Sequence, residues 1–275
     1  MTTFSLADAA WLARHRTDAD LVLLDTRPAK DYWSGHLDGA RHLDAAVLAL
    51  PTTDAAAIAR FQALLTQLLS ALGIAAEDRV LVIGAAGEVN ASRAAWALGY
   101  AGVREVILLD GGLAALPAPT LVQAAPAVTA RPFALRPVTA WLASAEQLRG
   151  GATGTVVDAR EHAEFLGERS NARRHGRVPG ARHWDTRLEV EADGRFRPAA
   201  ALAADFAALA APDERVLAYC GGGGRAARTF IALQLAGHRD AAVYPASWNE
   251  WGNRDDLPLE HGAPNATSNA TTTTA

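Results

Sequence analysis

Among its 275 residues the chain has one cysteine, Cys220, and one lysine, Lys30. A lone thiol excludes an internal disulfide and a cysteine metal cluster, so Cys220 is either an inert core residue or a thiol with a job. An excess of charge is also missing: 26 basic and 30 acidic residues leave a formal charge of −4. That balance argues against a nucleic-acid partner and against a disordered acidic tail protein. No apolar run approaches the roughly 18 residues a membrane span needs, so no membrane partner is expected. The opening MTTFSLADAAWLARH lacks the basic stretch and apolar core of a secretory signal, and the cytoplasm is the expected compartment. The eight histidines show no ligand spacing; neither a metal nor another cofactor is expected. Scarce lysine beside abundant Arg and Ala points to a GC-rich bacterial source and to no mechanism.

What the chain has is repetition. Leu21 to Arg27 reads LVLLDTR and Thr155 to Arg160 reads TVVDAR, each an apolar run ending in Asp-x-Arg. GHLDGARHLD from Gly35 is echoed by GRVPGARHWD from Gly176, and RVLVIGAAG from Arg79 by RVLAYCGGGG from Arg215. Last, LLDGGLAAL from Leu108 is echoed by VYPASWNEW from Val243. The four blocks keep their order, offset by 133, 141, 136 and 135 positions. The chain is therefore read as two copies of one module, which suits a length near two domains at roughly 150 residues each.

Between the copies, Pro117, Pro119, Pro126, Pro132 and Pro137 are expected to break any regular element. The division that follows is residues 1–116, a linker over 117–137, residues 138–261, and a tail over 262–275. From Asn265 that tail reads NATSNATTTTA, which has no core-forming residues and is expected to be disordered. LVLLD, RVLVIG and EVILLD read as buried parallel strands. Phe61 to Leu72 and Ala91 to Ala101 read as covering helices, matched by Ala199 to Ala211 and Ala226 to Ala236. Strand and helix in alternation predict an α/β fold, with a mostly parallel sheet flanked by helices in each module.

Cys220 stands at the end of the strand RVLAY, before Gly221-Gly222-Gly223-Gly224-Arg225 and a helix. A free cysteine in a sheet is commonly a small buried hydrophobe. Its position favours chemistry instead, because α/β folds place their sites at strand C-termini facing a helix start. Four glycines in a row are costly in backbone entropy. They make sense if the chain curls tightly, with amides pointing inward around the sulfur, which favours an anion there and raises the thiolate fraction.

Three chemistries use such a loop. Gly222-x-Gly224-x-x-Ala227, with Asp240 as a ribose acid, matches a loose dinucleotide fingerprint, but outside the first βα unit where that pattern belongs. Cysteine phosphatases place five residues between Cys and Arg; here there are four, a ring better sized for a sulfur atom than for a phosphoryl group. The third, and best, match is to the rhodanese family, whose active-site loop is six residues long and starts with the nucleophilic cysteine. This chain resembles that family over nearly its whole length to about His261. The resemblance includes the Gly-His-x-x-Gly-Ala motif at Gly35 to Ala40, its variant at Gly176 to Ala181, and Ser247-Trp248-Asn249-Glu250-Trp251 near the end.

The resemblance implies two tandem rhodanese-like domains, the first inactive and the second catalytic. Gly84 falls opposite Cys220, in a first loop that reads one residue longer. It also implies a sulfurtransferase in which Cys220 carries sulfur from a small anionic donor to a thiol or cyanide acceptor. Thiosulfate enzymes of the family carry basic residues after the cysteine, and mercaptopyruvate enzymes carry Gly and then Ser. Here Gly221 is followed by Gly222, which leaves the donor open. Arg225 replaces the family's Thr and is either a donor ligand or a surface cation of the first helical turn. Arg173 and Arg174 are the further candidates for the donor's anionic group, the alternative being a solvated basic loop; Glu164 stands where a family arginine is expected. Asp25 and Asp158 are expected to fix strand-end turns, His36 and Arg177 not to be catalytic, and Trp248 and Trp251 to pack or wall the cleft. A phosphatase or arsenate reductase, and a non-catalytic persulfide carrier, are the rival readings.

Overall fold

The computed structural model describes residues 2–151 and 153–262. The first half runs β1 (Thr3–Ala7), α1 (Ala9–His15), β2 (Leu21–Asp25), α2 (Ala29–Ser34), β3 (His36–Leu37), β4 (Arg41–His42), α3 (Ala55–Ala71), β5 (Arg79–Ile83), α4 (Val89–Ala101), β6 (Glu105–Leu109) and β7 (Leu121–Val122). The second runs α5 (Ala145–Arg149), β8 (Thr155–Asp158), α6 (His162–Leu166), β9 (Arg182–His183), α7 (Ala199–Ala207), β10 (Val216–Tyr219), α8 (Gly224–Leu235), β11 (Ala241–Val243) and α9 (Ser247–Trp251). The sheets are parallel, ordered β1-β6-β5-β2-β4 and β11-β10-β8-β9. Position by position, β11, β10, β8 and β9 repeat β6, β5, β2 and β4. Even the missing edge strand leaves a trace, a parallel bridge from Leu142 to Val243 where the first half has β1 beside β6. The expected α/β duplication is what the chain folds into.

Local sequence accounts for the elements. β5 and β6 are buried after their first residue, as parallel strands covered on both faces must be. In α3, Asp54 caps the N-terminus through the Ala57 amide at 2.9 Å, and the buried residues Ala57, Phe61, Leu65 and Leu69 fall four apart on one face. α4 differs: every residue from Ala91 to Ala101 except Arg93 is buried. It has a sheet on one side and α8 on the other, so the two halves share a core. Phe4, Trp141 and Phe230 meet there with ring centres 5.3 to 5.8 Å apart.

The proline-rich segment departs from expectation in one respect. Leu121–Val122 do form a strand, antiparallel to His36–Leu37. Pro117 and Pro119 precede it, and neither sits at a position whose N–H the pairing needs. Beyond it the chain lies along the first half, Arg131 donating its amide to the Ser70 carbonyl at 3.0 Å and Arg136 to that of Ala101 at 3.0 Å. The second half has the equivalent pairing, an antiparallel bridge from Arg177 to Glu260. Of the tail, Gly262 donates its amide to Leu166 at 3.2 Å, and the rest of the expected disordered stretch lies outside the described residues.

Candidate active site

Register places Gly84 opposite Cys220. Asp25 pairs with Ile83 in the first sheet and Asp158 with Tyr219 in the second, so the next residues are Gly84 and Cys220. Five residues, 84–88, lead into α4 and four, 220–223, lead into α8. The first loop is one residue longer, as the sequence offsets predict.

Cys220 is buried, with 2% exposure, at the C-terminal edge of its sheet. The chain turns through Gly221, Gly222 and Gly223 so that the Gly223 amide donates to Cys220 Sγ at 3.1 Å. Gly223 has φ +88°, and a Cβ there would lie 2.4 Å from the Pro245 carbonyl oxygen. A Cβ on Gly222 would lie 2.8 Å from Asn249 Nδ2. These glycines are demanded by conformation and by close approach, and the N-terminus of α8 starts immediately behind the sulfur.

α9 clamps this loop from outside. Cys220 donates its amide to Ser247 Oγ at 3.0 Å, and the Ser247 hydroxyl donates to the Tyr244 carbonyl at 2.8 Å. The Trp248 and Asn249 amides donate to the Cys220 and Gly221 carbonyls at 2.9 and 2.8 Å. The Ser-Trp-Asn-Glu-Trp block thus orients the Cys220 backbone, while Trp248 and Trp251 are packed side chains, 2% and 0% exposed. Arg160 lies over the Trp248 ring, 4.2 Å from its centre.

Asp158 holds Arg160 at 2.6 Å, and Arg160 donates to the Gly176 carbonyl at 2.8 Å. Asp25 holds Arg27 at 2.7 Å, and Arg27 donates to Gly35 at 2.8 Å. The shared aspartates therefore fix the strand-end turn in both copies. His36 lies against the carbonyls of Tyr32 and Ala124, and Arg177 pairs with Glu260 at 2.6 Å; both are structural.

Among the sequence-predicted ligands, Arg225 comes to the loop. Its Nη2 would be 3.3 Å from a Cβ on Gly221, and its Nη1 pairs with Glu164 at 2.9 Å. Burial raises the Glu164 carboxyl, but hydrogen bonds from Arg225 and the Glu161 amide outweigh it and leave the group below the usual carboxylate range. Arg225 also lines a cavity of about 540 Å³ with Arg160, Glu161, His162, His183 and Arg187. Arg173 and Arg174 are used elsewhere. Arg173 pairs with Asp255 at 2.5 Å, and Arg174 donates to the Leu257 and Trp251 carbonyls at 2.9 and 2.7 Å. Both tie down the chain after α9, and neither donates to the cysteine loop among the described residues. The sequence reading missed Arg93 of α4, which crosses from the first half to donate to the Gly222 carbonyl at 2.7 Å.

The geometry is a buried thiol facing an amide at a helix start, with cations from both halves beside it: a seat for a sulfur anion. The profile of the rhodanese-like domain matches residues 8–117 and 142–254. The chain is 29% identical to 3-mercaptopyruvate sulfurtransferase of Escherichia coli, over 94% of its length and 99% of that protein. It is 30% identical to thiosulfate sulfurtransferase of Azotobacter vinelandii, over 88% of its length and 91% of that protein. Among solved structures, YnjE superposes with a TM-score of 0.81 at 26% identity, covering 94% of this chain and 68% of that one.

Proposed function

The chain belongs to the rhodanese-like domain family, whose domain it carries twice, and on that premise we propose that it is a sulfurtransferase working through a persulfide on Cys220. The Cys220 thiolate attacks the outer sulfur of thiosulfate or 3-mercaptopyruvate. The bond from that sulfur to the rest of the donor breaks, and sulfite or the enolate of pyruvate leaves with the electron pair; the enolate then takes up a proton. The new sulfur remains on Cys220 as a persulfide anion, held by the Gly223 amide and the α8 N-terminus. A thiol or cyanide attacks the outer sulfur and the Cys220 thiolate returns.

The observation that carries this reading is the Gly223 amide aimed at Cys220 Sγ, 3.1 Å away, in a loop one residue shorter between Cys and Arg than that of cysteine phosphatases. Arg225 is the donor's anion ligand in this scheme. It takes over a task that the resemblance gave to an arginine at position 164, and Glu164 now holds it in place. Arg173 and Arg174, busy with the segment after α9, are assigned no contact with the donor. The relatives divide between two donors, and this loop has neither the basic residues of one group nor the serine of the other. A reducing cytoplasm, rich in thiol acceptors, is the compartment that suits the scheme.

A thiocyanate assay with thiosulfate and mercaptopyruvate side by side tests it. Turnover of at least one donor is expected, with mass spectrometry finding one added sulfur on Cys220 after donor treatment and before acceptor. Hydrolysis of an aryl phosphate without any thiocyanate would overturn the proposal in favour of a phosphatase.

A further inference from the structure

The two halves exchange arginines. Arg93 of α4 donates to the Gly222 carbonyl at 2.7 Å, and Arg228 of α8 donates to the Gly87 carbonyl at 2.9 Å. Each donor is the fifth residue of its helix, and each acceptor stands two residues before the partner helix. The interface therefore has an approximate twofold symmetry, each repeat holding the other's loop.

The symmetry stops at the charges. Arg228 is neutralised by the fully buried Glu189 at 2.8 Å, which also accepts from Trp184 Nε1 at 2.9 Å and from Thr229. By the block offset of 141, Glu189 and Trp184 correspond to Leu48 and Leu43, and Thr229 follows Arg228 as Ala94 follows Arg93. All three counterparts are apolar, and among the described residues Arg93 has no ion pair. Burial makes its guanidinium less basic than a free one, and the Cys220 sulfur is the group whose charge counters that.

We propose that Arg93, supplied by the repeat that has no nucleophile, is a positioning residue for Cys220: it holds the loop through the Gly222 carbonyl and leaves its charge uncompensated so that the sulfur anion serves as its counter-ion. This rests on the reading of Cys220 as the nucleophile. The other cation whose charge is felt by the sulfur is Arg225 of α8, which is also paired with Glu164 of α6 at 2.9 Å; the Asp158–Arg160 pair at the end of β8 is closed on itself at 2.6 Å. Arg93 is thus the cation there whose field is not cancelled by a neighbouring carboxylate.

The test is the pH profile of Cys220 alkylation by iodoacetamide in the full-length protein. Arg93→Gln is expected to slow alkylation at pH 7 by about threefold to tenfold and to displace the profile toward higher pH, as loss of one nearby cation requires. Arg93→Lys, which keeps the charge, is expected to restore most of the rate. A second variant, Leu48→Glu, keeps Arg93 but offers it the carboxylate that Arg228 has, and the same displacement is expected. Superimposable profiles for wild type, Arg93→Gln and Leu48→Glu would overturn the inference while leaving the sulfurtransferase reading intact. A wild-type Cys220 inert to both iodoacetamide and sulfur donors would overturn both.

Discussion

The loops at Gly84 and Cys220 end corresponding strands of the two sheets, stand beside strands that each end in an Asp–Arg pair, and precede helices that pack on each other. They differ in what fills the ring. In the second repeat a sulfur occupies it and receives an amide hydrogen bond at 3.1 Å. In the first, Glu88 turns back beside it and accepts from the Ala85 amide at 3.4 Å and from the Asn90 side chain. The first loop supplies its own carboxylate, with one more residue to do it.

The largest effect tests that difference directly. Cys220→Ser is expected to lower sulfur transfer by about a thousandfold or more, and Gly84→Cys in that background to restore none of it. A Cβ at position 84 would meet the Ala91 Cβ at 2.8 Å, and the Glu88 carboxylate already takes the Ala85 amide. Thiocyanate formation by the double variant would break the comparison.

Next comes the exchanged arginine pair. Arg228→Leu strands the buried Glu189 carboxylate and is expected to destabilise the fold by about 3 to 5 kcal/mol, read by denaturant unfolding. Arg93→Leu leaves no carboxylate behind and is expected to cost well under half of that. Equal losses would mean that the halves are not asymmetric in charge.

A smaller effect separates Ser247 from Gly112, its repeat counterpart at offset 135. Both are left-handed, with φ +55° and +65°, but Ser247 tolerates the strain while accepting from the Cys220 amide. Ser247→Gly removes bond and strain together, whereas Ser247→Ala keeps the strain and loses the bond. The glycine variant is expected to be more stable than the alanine one by about 1 kcal/mol, with both lowering the rate of persulfide formation.

The smallest is the Glu164–Arg225 pair, whose place in the first repeat is taken by no ion pair among the described residues. Because the folded Glu164 carboxyl is lower than the unfolded one, its contribution is complete above the unfolded range near ~4.3 and disappears as pH falls through the folded value. Glu164→Gln is therefore expected to cost about 1 kcal/mol at neutral pH and nothing near pH 2. The same loss at both pH values would show that the side chain acts by packing.

How much of this was legible can be judged from particular residues. The position of Gly84 could be read from the repeated Arg-Val-Leu, because a strand's register carries one residue to one place. The extra loop residue could be read from the offset change. A basic run beside a glycine motif suggests an anion site at Arg173 and Arg174; in the fold their guanidinium groups pair with Asp255 and with the Leu257 and Trp251 carbonyls, about eighty residues along the chain. Arg93 was within reach, since the repeat offset aligns it with Arg228, but nothing local marks a helical arginine as crossing to another domain.

By itself the sequence determined the duplication, the parallel sheets, the glycine-rich loop and the one cysteine at its start. All of these depend on periodicity, on chain order and on residue type, which neighbours along the chain impose. Only the tertiary structure decided which cations come to the cysteine loop. A guanidinium reaches far, and its partner is chosen by which buried carbonyl or carboxylate the fold leaves unsatisfied. For Arg174 that was a carbonyl after α9. For Arg93 it was the cysteine loop of the other half.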